Sequence, residues 1–191
     1  ITKTHQHFHA IVTQDTFPLR ERVRPLSSDK LDAVKQEFLT LEASGVIRRS
    51  SSPWAAPLHV VTKKDGTFRP CGDFRRLNEI TVHDSYPMPL IGDALSRLNK
   101  AVIFSTLDLA KAYHQIPVLP SDVPKTAVIT PFGLFEYISM PFGLRNAAQT
   151  FQRYIDSLLS KTYFTIAYID DLVIGSANVK EHHTHLTHVL D

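Results

Sequence analysis

Tyr168-Ile169-Asp170-Asp171 stands between two apolar runs, Phe164 to Tyr168 and Leu172 to Ile174. An apolar strand, a tight turn holding two consecutive carboxylates and a second apolar strand spell a β-hairpin with both acids at its tip. Two anions about 4 to 6 Å apart repel by roughly 1 kcal/mol in water and by about 4 at an effective dielectric near 20. Such a pair calls for a cation, and Mg²⁺ takes carboxylate oxygens while keeping room for waters and phosphates. Aspartate is also an ordinary turn residue, so the rest of the chain has to decide between the two readings.

A third acid, Asp108, ends the apolar run Val102 to Leu107, as a neighbour of the hairpin in the same sheet would. Taken alone it reads as a strand-end or capping aspartate. Taken with Asp170 and Asp171 it completes a set that can hold two Mg²⁺ ions about 3.5 to 4 Å apart, the arrangement of in-line phosphoryl transfer.

The chain has 191 residues, 43% of them hydrophobic, which is enough for a buried core in one domain or a compact pair of subdomains. No apolar run approaches a membrane span and the N-terminus has no signal pattern, so we expect a soluble, intracellular, cytoplasmic protein with no membrane partner. The single cysteine, Cys71, excludes an intrachain disulfide and a cysteine-rich zinc site, and is expected simply to pack. A formal charge of +2 does not announce nucleic acid. Two basic clusters stand out: Arg20, Arg22 and Arg24, then Lys63, Lys64, Arg69, Arg75 and Arg76, diluted by Glu21, Asp65 and Asp73. By themselves they read as solvated faces.

After Pro25, a helix capped by Ser27 or Ser28 should carry Leu31, Val34, Phe38 and Leu41 on one face and stop at Gly45. Leu58 to Thr62 and Phe68 to Phe74 flank an Asp-Gly turn and form a hairpin that holds the larger basic cluster. Leu90, Ala94, Leu95 and Leu98 suggest a short helix beyond Pro87 and Pro89. Thr126 to Thr130 and Leu134 to Ile138 form a further hairpin, and Asn146 is placed to cap a helix with the stripe Ala148, Phe151, Ile155, Leu158 and Leu159. Lys180 to Asp191 begins a last helix. The pattern is mixed α and β with antiparallel hairpins.

Six blocks of residues stand out along the chain. The first two are Ser51-Ser52-Pro53-Trp54-Ala55-Ala56-Pro57-Leu58 and Lys63-Lys64-Asp65-Gly66-Thr67-Phe68-Arg69-Pro70-Cys71-Gly72-Asp73-Phe74-Arg75-Arg76-Leu77-Asn78. Next come Phe104-Ser105-Thr106-Leu107-Asp108-Leu109 with Ala112-Tyr113-His114-Gln115-Ile116, and Thr130-Pro131-Phe132-Gly133-Leu134-Phe135-Glu136-Tyr137. Met140-Pro141-Phe142-Gly143-Leu144-Arg145-Asn146-Ala147 and Tyr168-Ile169-Asp170-Asp171 complete the set. In this order and spacing, from about residue 25 to 190, the chain resembles the reverse transcriptases of LTR retrotransposons, in particular gypsy-type elements.

The resemblance implies an α+β right-hand polymerase made of fingers and palm, with an antiparallel palm sheet, packed helices and no thumb. A lead-in over residues 1–24 would precede fingers at 25–83 and 116–146 and palm at 84–115 and 147–191, all one C-terminally truncated domain. It implies RNA-directed DNA polymerase activity on an RNA or DNA template with a DNA primer, using deoxynucleotide triphosphates and two Mg²⁺ ions, with Mn²⁺ as a substitute. The remaining Pol domains, thumb, RNase H and integrase, would be its partners. Asp108, Asp170 and Asp171 would bind the metals. Lys63, Lys64 and Arg69 would grip the triphosphate, and the backbone of Leu109, Ala110, Lys111, Ala112 and Tyr113 would cradle its phosphates.

The Tyr113 ring would exclude a 2′-hydroxyl, and Phe142-Gly143 would lie near nucleotide and template. Arg75 with Asp73 would contact template or support the fold, a buried pair being as good a reading as a nucleic-acid contact. Retroviral enzymes often have glutamine where Phe142 stands, so no hydrogen-bonding role transfers to it, and many relatives have proline where Ala148 stands, which bears only on the helix entry. His182, His183, His185 and His188 read as a solvated helix face without chemistry. The rival readings are a noncatalytic nucleic-acid-binding or structural subunit, disfavoured by the three acids, and an RNA-dependent RNA polymerase, disfavoured by Tyr113.

Overall fold

In the computed structural model, residues 7–160, 162–168 and 170–190 are described, with 91, 93 and 94 in backbone only. The expectations for residues 1–6, Ile169, Asp191 and the Ala94 side chain lie outside these. The helices are α1 (Ser28–Ala43), α2 (Arg75–Ile80), α3 (Ile91–Ser96), α4 (Ala147–Leu159) and α5 (Val179–Leu190). The strands are β1 (Ile47–Arg49), β2 (Ala56–Thr62), β3 (Phe68–Gly72), β4 (Ile103–Asp108), β5 (Val128–Thr130), β6 (Gly133–Tyr137), β7 (Thr165–Tyr168) and β8 (Asp171–Ser176). They divide into two compact units, Ile1–Asp84 with Tyr113–Ala147, and Ser85–Ala112 with Ala148–Asp191.

The first unit is built on a five-stranded sheet of order β1-β6-β5-β2-β3. Its pairings are antiparallel except β2 with β5, which run parallel through Ala56↔Val128 and Pro57↔Ile129. Helix α1 begins after Ser27, whose extended backbone suits an N-cap, and ends before Gly45, whose φ of +72° is the left-handed turn that glycine adopts without strain. Its buried residues are Val34, Phe38 and Leu41, as the sequence stripe requires. The Phe38 ring meets Phe132 and Phe135 edge-on at 5.5 and 5.1 Å, and burying such a ring contributes roughly 2 to 3 kcal/mol. The Ser51-Ser52 block is structural in this unit. Ser50 and Arg48 both bond Glu136, at 2.5 and 2.7 Å, while the Ser52 hydroxyl donates to Pro124 O at 2.6 Å.

Three local expectations change. The strand read as Phe68 to Phe74 ends at Gly72, where an added Cβ would stand 2.4 Å from the Phe74 ring, and the chain then turns into α2. Arg75 and Arg76 therefore sit on a helix, outside the hairpin. Thr126 closes a 3₁₀ turn, Val123–Thr126, instead of opening a strand; its hydroxyl donates to Val123 O and accepts from Tyr137 N. Asn146, at φ +69°, uses its side chain on the 82–84 segment, donating to Val82 O at 2.7 Å and accepting from Asp84 N at 3.0 Å. It staples two chain segments where the sequence suggested a helix cap.

The second unit carries a three-stranded antiparallel sheet of order β4-β8-β7. Along β4, Ile103, Ser105 and Leu107 turn inward while Phe104, Thr106 and Asp108 are exposed, the period-2 pattern of a half-buried strand. Gly175 lets the segment before β4 approach, since a Cβ there would lie 2.9 Å from Ala101 and 3.2 Å from Leu98. Helix α5 departs from its solvated reading. His182 and His185 are 8% and 6% exposed, and both Nδ1 atoms lie 2.8 Å from the Ser176 hydroxyl. His182 Nε2 meets Ser105 at 2.8 Å, and the His185 ring stacks on Phe164 at 3.7 Å. These imidazoles are polar core, which the strand serines make possible.

Candidate active site

The register of β4 against β8 sets Asp108 directly opposite Asp171. The β7–β8 hairpin pairs Tyr168 with Asp171 and leaves Asp170 in the turn between them. Leu109 N, the first amide past β4, donates to Asp170 O at 2.9 Å and ties the exit of β4 to the hairpin tip. All three acids of the sequence set thus meet at one end of one sheet.

The electrostatics follow from that convergence. Burial first, then the charges of Asp108 and Asp171, raise the Asp170 pKa above the usual carboxylate value. Asp170 Oδ1 is shielded from solvent and has no hydrogen-bond partner. A buried, unpaired carboxylate oxygen beside two further acids is an anionic pocket with unmet demand for positive charge. Among the described residues no three acid, histidine or cysteine side chains are arranged so as to hold a metal ion by themselves. The donor set suits a hard cation that brings its own waters and partner oxygens.

Beyond Leu109, Lys111 adopts φ +53°, a left-handed turn uncommon for a side-chain-bearing residue, and Ala112 N returns to Leu109 O at 3.2 Å. Ala112 is buried and opens the 3₁₀ turn Ala112–Gln115, which carries Tyr113.

In the first unit, three sequence-predicted residues form one cluster. The Tyr113 ring meets Phe142 edge-on at 4.9 Å, and the Arg69 guanidinium lies 5.8 Å from the Phe142 centroid on the other contact. Phe142 remains 38% exposed, so this is an aromatic and cationic surface. Gly143 follows at φ +87°, where its missing side chain is required by the backbone, since an added Cβ would meet nothing closer than 3.8 Å. Asn78 clamps this loop. Its Nδ2 donates to Gly143 O and its Oδ1 accepts from Arg145 N, each at 2.7 Å. Sequence alone assigns Asn78 no role; its one signal is an amide side chain just past a basic segment.

Lys63 and Lys64 occupy the exposed β2–β3 turn beyond the Thr62↔Phe68 pair, where Asp65 accepts from Thr67 N and Gly66 takes φ +82°. Arg75 and Asp73 do pair, through bonds of 2.8 and 2.6 Å, and Arg24 adds a third at 2.8 Å. The pair is not buried as a whole: the Arg75 side chain is 80% exposed and that of Asp73 only 10%. The Arg75 guanidinium holds the Asp73 carboxyl well below the usual carboxylate range, against the opposing effect of burial. Cys71 is half-buried, and burial pushes its thiol up.

Residues 61–191 match the family described as "Reverse transcriptase (RNA-dependent DNA polymerase)". The chain belongs to that family. It is 40% identical over 188 residues to the retrovirus-related Pol polyprotein from transposon gypsy of Drosophila melanogaster, covering 94% of this chain and 18% of the relative. The Pol polyprotein from transposon 297 of the same fly is 37% identical over 189 residues, covering 95% of this chain and 18% of the relative. The transposon Tf2-3 polyprotein of Schizosaccharomyces pombe is 37% identical over 185, with 96% and 14% covered. This reverse-transcriptase-family chain thus spans less than a fifth of those relatives' length.

The prototype foamy virus protease-reverse transcriptase superposes with a TM-score of 0.87 at 24% identity, over 95% of this chain and 24% of that one. The foamy viral enzyme in complex with RNA/DNA hybrid also gives 0.87, at 22% identity, over 95% and 25%. The mixed α+β architecture is therefore the reverse transcriptase fold. Among the described residues no helix is long and apolar enough to cross a membrane.

Proposed function

We propose that this chain supplies the polymerase centre of a retrotransposon Pol protein and extends a DNA primer on an RNA or DNA template. The observation that carries the reading is the meeting of Asp108, Asp170 and Asp171 at one sheet end, with an unpaired buried oxygen on Asp170. Their carboxylates would hold two Mg²⁺ ions, or Mn²⁺ in their place. Bound there, such ions would favour the ionised primer 3′-hydroxyl and offset charge on the departing pyrophosphate.

The chain's own groups have separate tasks in this reading. Arg69, with Lys63 and Lys64, would neutralise the triphosphate of the incoming deoxynucleotide. The amides from Leu109 to Tyr113, bent by the left-handed Lys111, would donate to phosphate oxygens. The Tyr113 ring, braced by Phe142, would fill the space a 2′-hydroxyl needs, and Gly143 would let a base approach the backbone. Arg75, exposed while anchored on Asp73, would reach a template phosphate. The first unit would serve as fingers and the second as palm, with the remaining Pol domains, thumb, RNase H and integrase, completing the enzyme.

The test is single-nucleotide extension by the Pol chain carrying these residues, with Mg²⁺ and an RNA template. Asp170→Asn should abolish extension while primer-template binding survives. Extension retained by that variant would remove the acids from the chemistry, and binding without extension by the unaltered chain would favour a noncatalytic subunit.

A further inference from the structure

Strand β7 lies at the edge of its sheet, paired only with β8. Phe164 O accepts from Gly175 N in β8, so by strand alternation the carbonyls of Thr165 and Ala167 face away from the ladder. An edge strand held on one side alone can shift, and this one delivers Asp170 and Asp171. Ala167 O accepts from Gln152 Nε2 of α4 at 3.2 Å.

Gln152 is an unusual residue for that place. It is 1% exposed, and burying an amide costs about 1 to 3 kcal/mol unless its groups are bonded. Its Nε2 also donates to Asp156 Oδ1 at 2.9 Å, one helical turn on, while its Oε1 has no partner. An amide whose two N–H groups meet two fixed acceptors cannot rotate. Asp156 is fixed in turn: its other oxygen accepts from the Tyr86 hydroxyl at 2.7 Å, and the Arg153 guanidinium covers the Tyr86 ring at 4.5 Å.

The geometry points to Gln152 as a positioning residue for the Asp170-Asp171 tip, with Tyr86 and Asp156 as the relay that orients its amide. This rests on the reading of those acids as catalytic. The three polar groups form one line of bonds from the 85–89 segment, across one face of α4, to the backbone three residues before Asp170. Gln152 bonds Asp156 and the Ala167 carbonyl, so its effect on the acids runs through the strand.

The test uses Gln152→Met, which keeps length and packing while removing both N–H groups, and Tyr86→Phe, which removes one hydroxyl. In the Pol chain, Gln152→Met should lower kcat about tenfold, equivalent to about 1.4 kcal/mol, with KM for nucleotide and primer-template affinity unchanged. Tyr86→Phe should cost about threefold, and the double variant should be no worse than Gln152→Met, because both act on one line of bonds. Amide exchange over residues 165–168 and 171–174 should quicken in Gln152→Met.

Exchange is read without turnover, so it decides the positioning role even if the unaltered chain makes no DNA and the functional reading fails. Unchanged exchange in the hairpin overturns the proposal whatever the kinetics. Additive losses in the double variant, or KM rising in step with the fall in kcat, overturn it as well.

Discussion

Removing one charge from the acid cluster should stabilise the protein while destroying its chemistry. Asp108 stands opposite Asp171 in register, and directly opposed strand residues hold their side chains about 5 Å apart. At that distance one like-charge pair costs about 0.8 kcal/mol at the dielectric of water and about 3.3 at an effective value of 20. Asp108 and Asp171 are exposed, so screening keeps each pair near the lower figure, and Asp170 faces both. Asp170→Asn leaves the Asp108–Asp171 pair and removes the two repulsions that Asp170 itself feels, from Asp108 and Asp171; at about 5 Å and about 0.8 kcal/mol each, it should be about 1 to 2 kcal/mol more stable than the unaltered chain in chelator, by urea denaturation at low ionic strength.

The gain should shrink in salt as the repulsion is screened. Adding Mg²⁺ should reverse the order: at ten times its Kd it stabilises the unaltered chain by about 1.4 kcal/mol and the variant by less. A variant less stable than the unaltered chain in chelator would refute the reasoning, since Asp170 would then be a structural hydrogen-bond acceptor and not a strained anion.

His9, fully buried, has its pKa lowered from 6.5 to about 4, with burial outweighing the attraction of Asp122 and Asp84. Its folded pKa lies below the unfolded one, so its contribution is intact above about pH 6.5 and is lost as pH falls toward 4; between pH 7.5 and 5 this is about 2 kcal/mol. His9→Gln should remove that component, and a constant stability difference from the unaltered chain across the range would count against it. Gly175→Ala sets a methyl 2.9 Å from Ala101 and should cost about 1 to 3 kcal/mol in urea, partly recovered by Ala101→Gly. Tyr113→Ala should lower the ratio of kcat/KM for deoxy- over ribonucleotide, and an unchanged ratio would reduce Tyr113 to a packing partner of Phe142.

The strongly periodic parts of the fold were legible from residues alone. The α1 stripe and the Asp-Gly hairpin follow from spacing and turn chemistry, and so does the placement of the three acids, because Asp108 and Asp171 sit at strand ends and Asp170 in the turn that the apolar runs define. What escaped depends on partners distant in sequence. Helix α2 has only one buried residue, Leu77, and so no stripe to read. The histidines of α5 look solvated until Ser105 and Ser176 are set beneath them. Asn146 satisfies the residue preference of a cap, yet Val82 O and Asp84 N take its side chain. The contacts of Phe142 with Tyr113 and Arg69 join residues 29 and 73 positions apart, and no local pattern announces them.

The order of strands also constrains how the chain can fold as it leaves the ribosome. In the first sheet β1 and β2 are early neighbours in sequence, yet β5 and β6 lie between them. Until β6 has emerged β1 has no partner in this sheet, and until β5 has emerged only the β2–β3 hairpin can close. The second sheet repeats the delay, because its central strand, β8, is the last to be made, and β4 must wait for it through more than sixty residues. Both sheets are completed by late strands inserted between earlier ones, so edges stay unpaired until those strands have emerged.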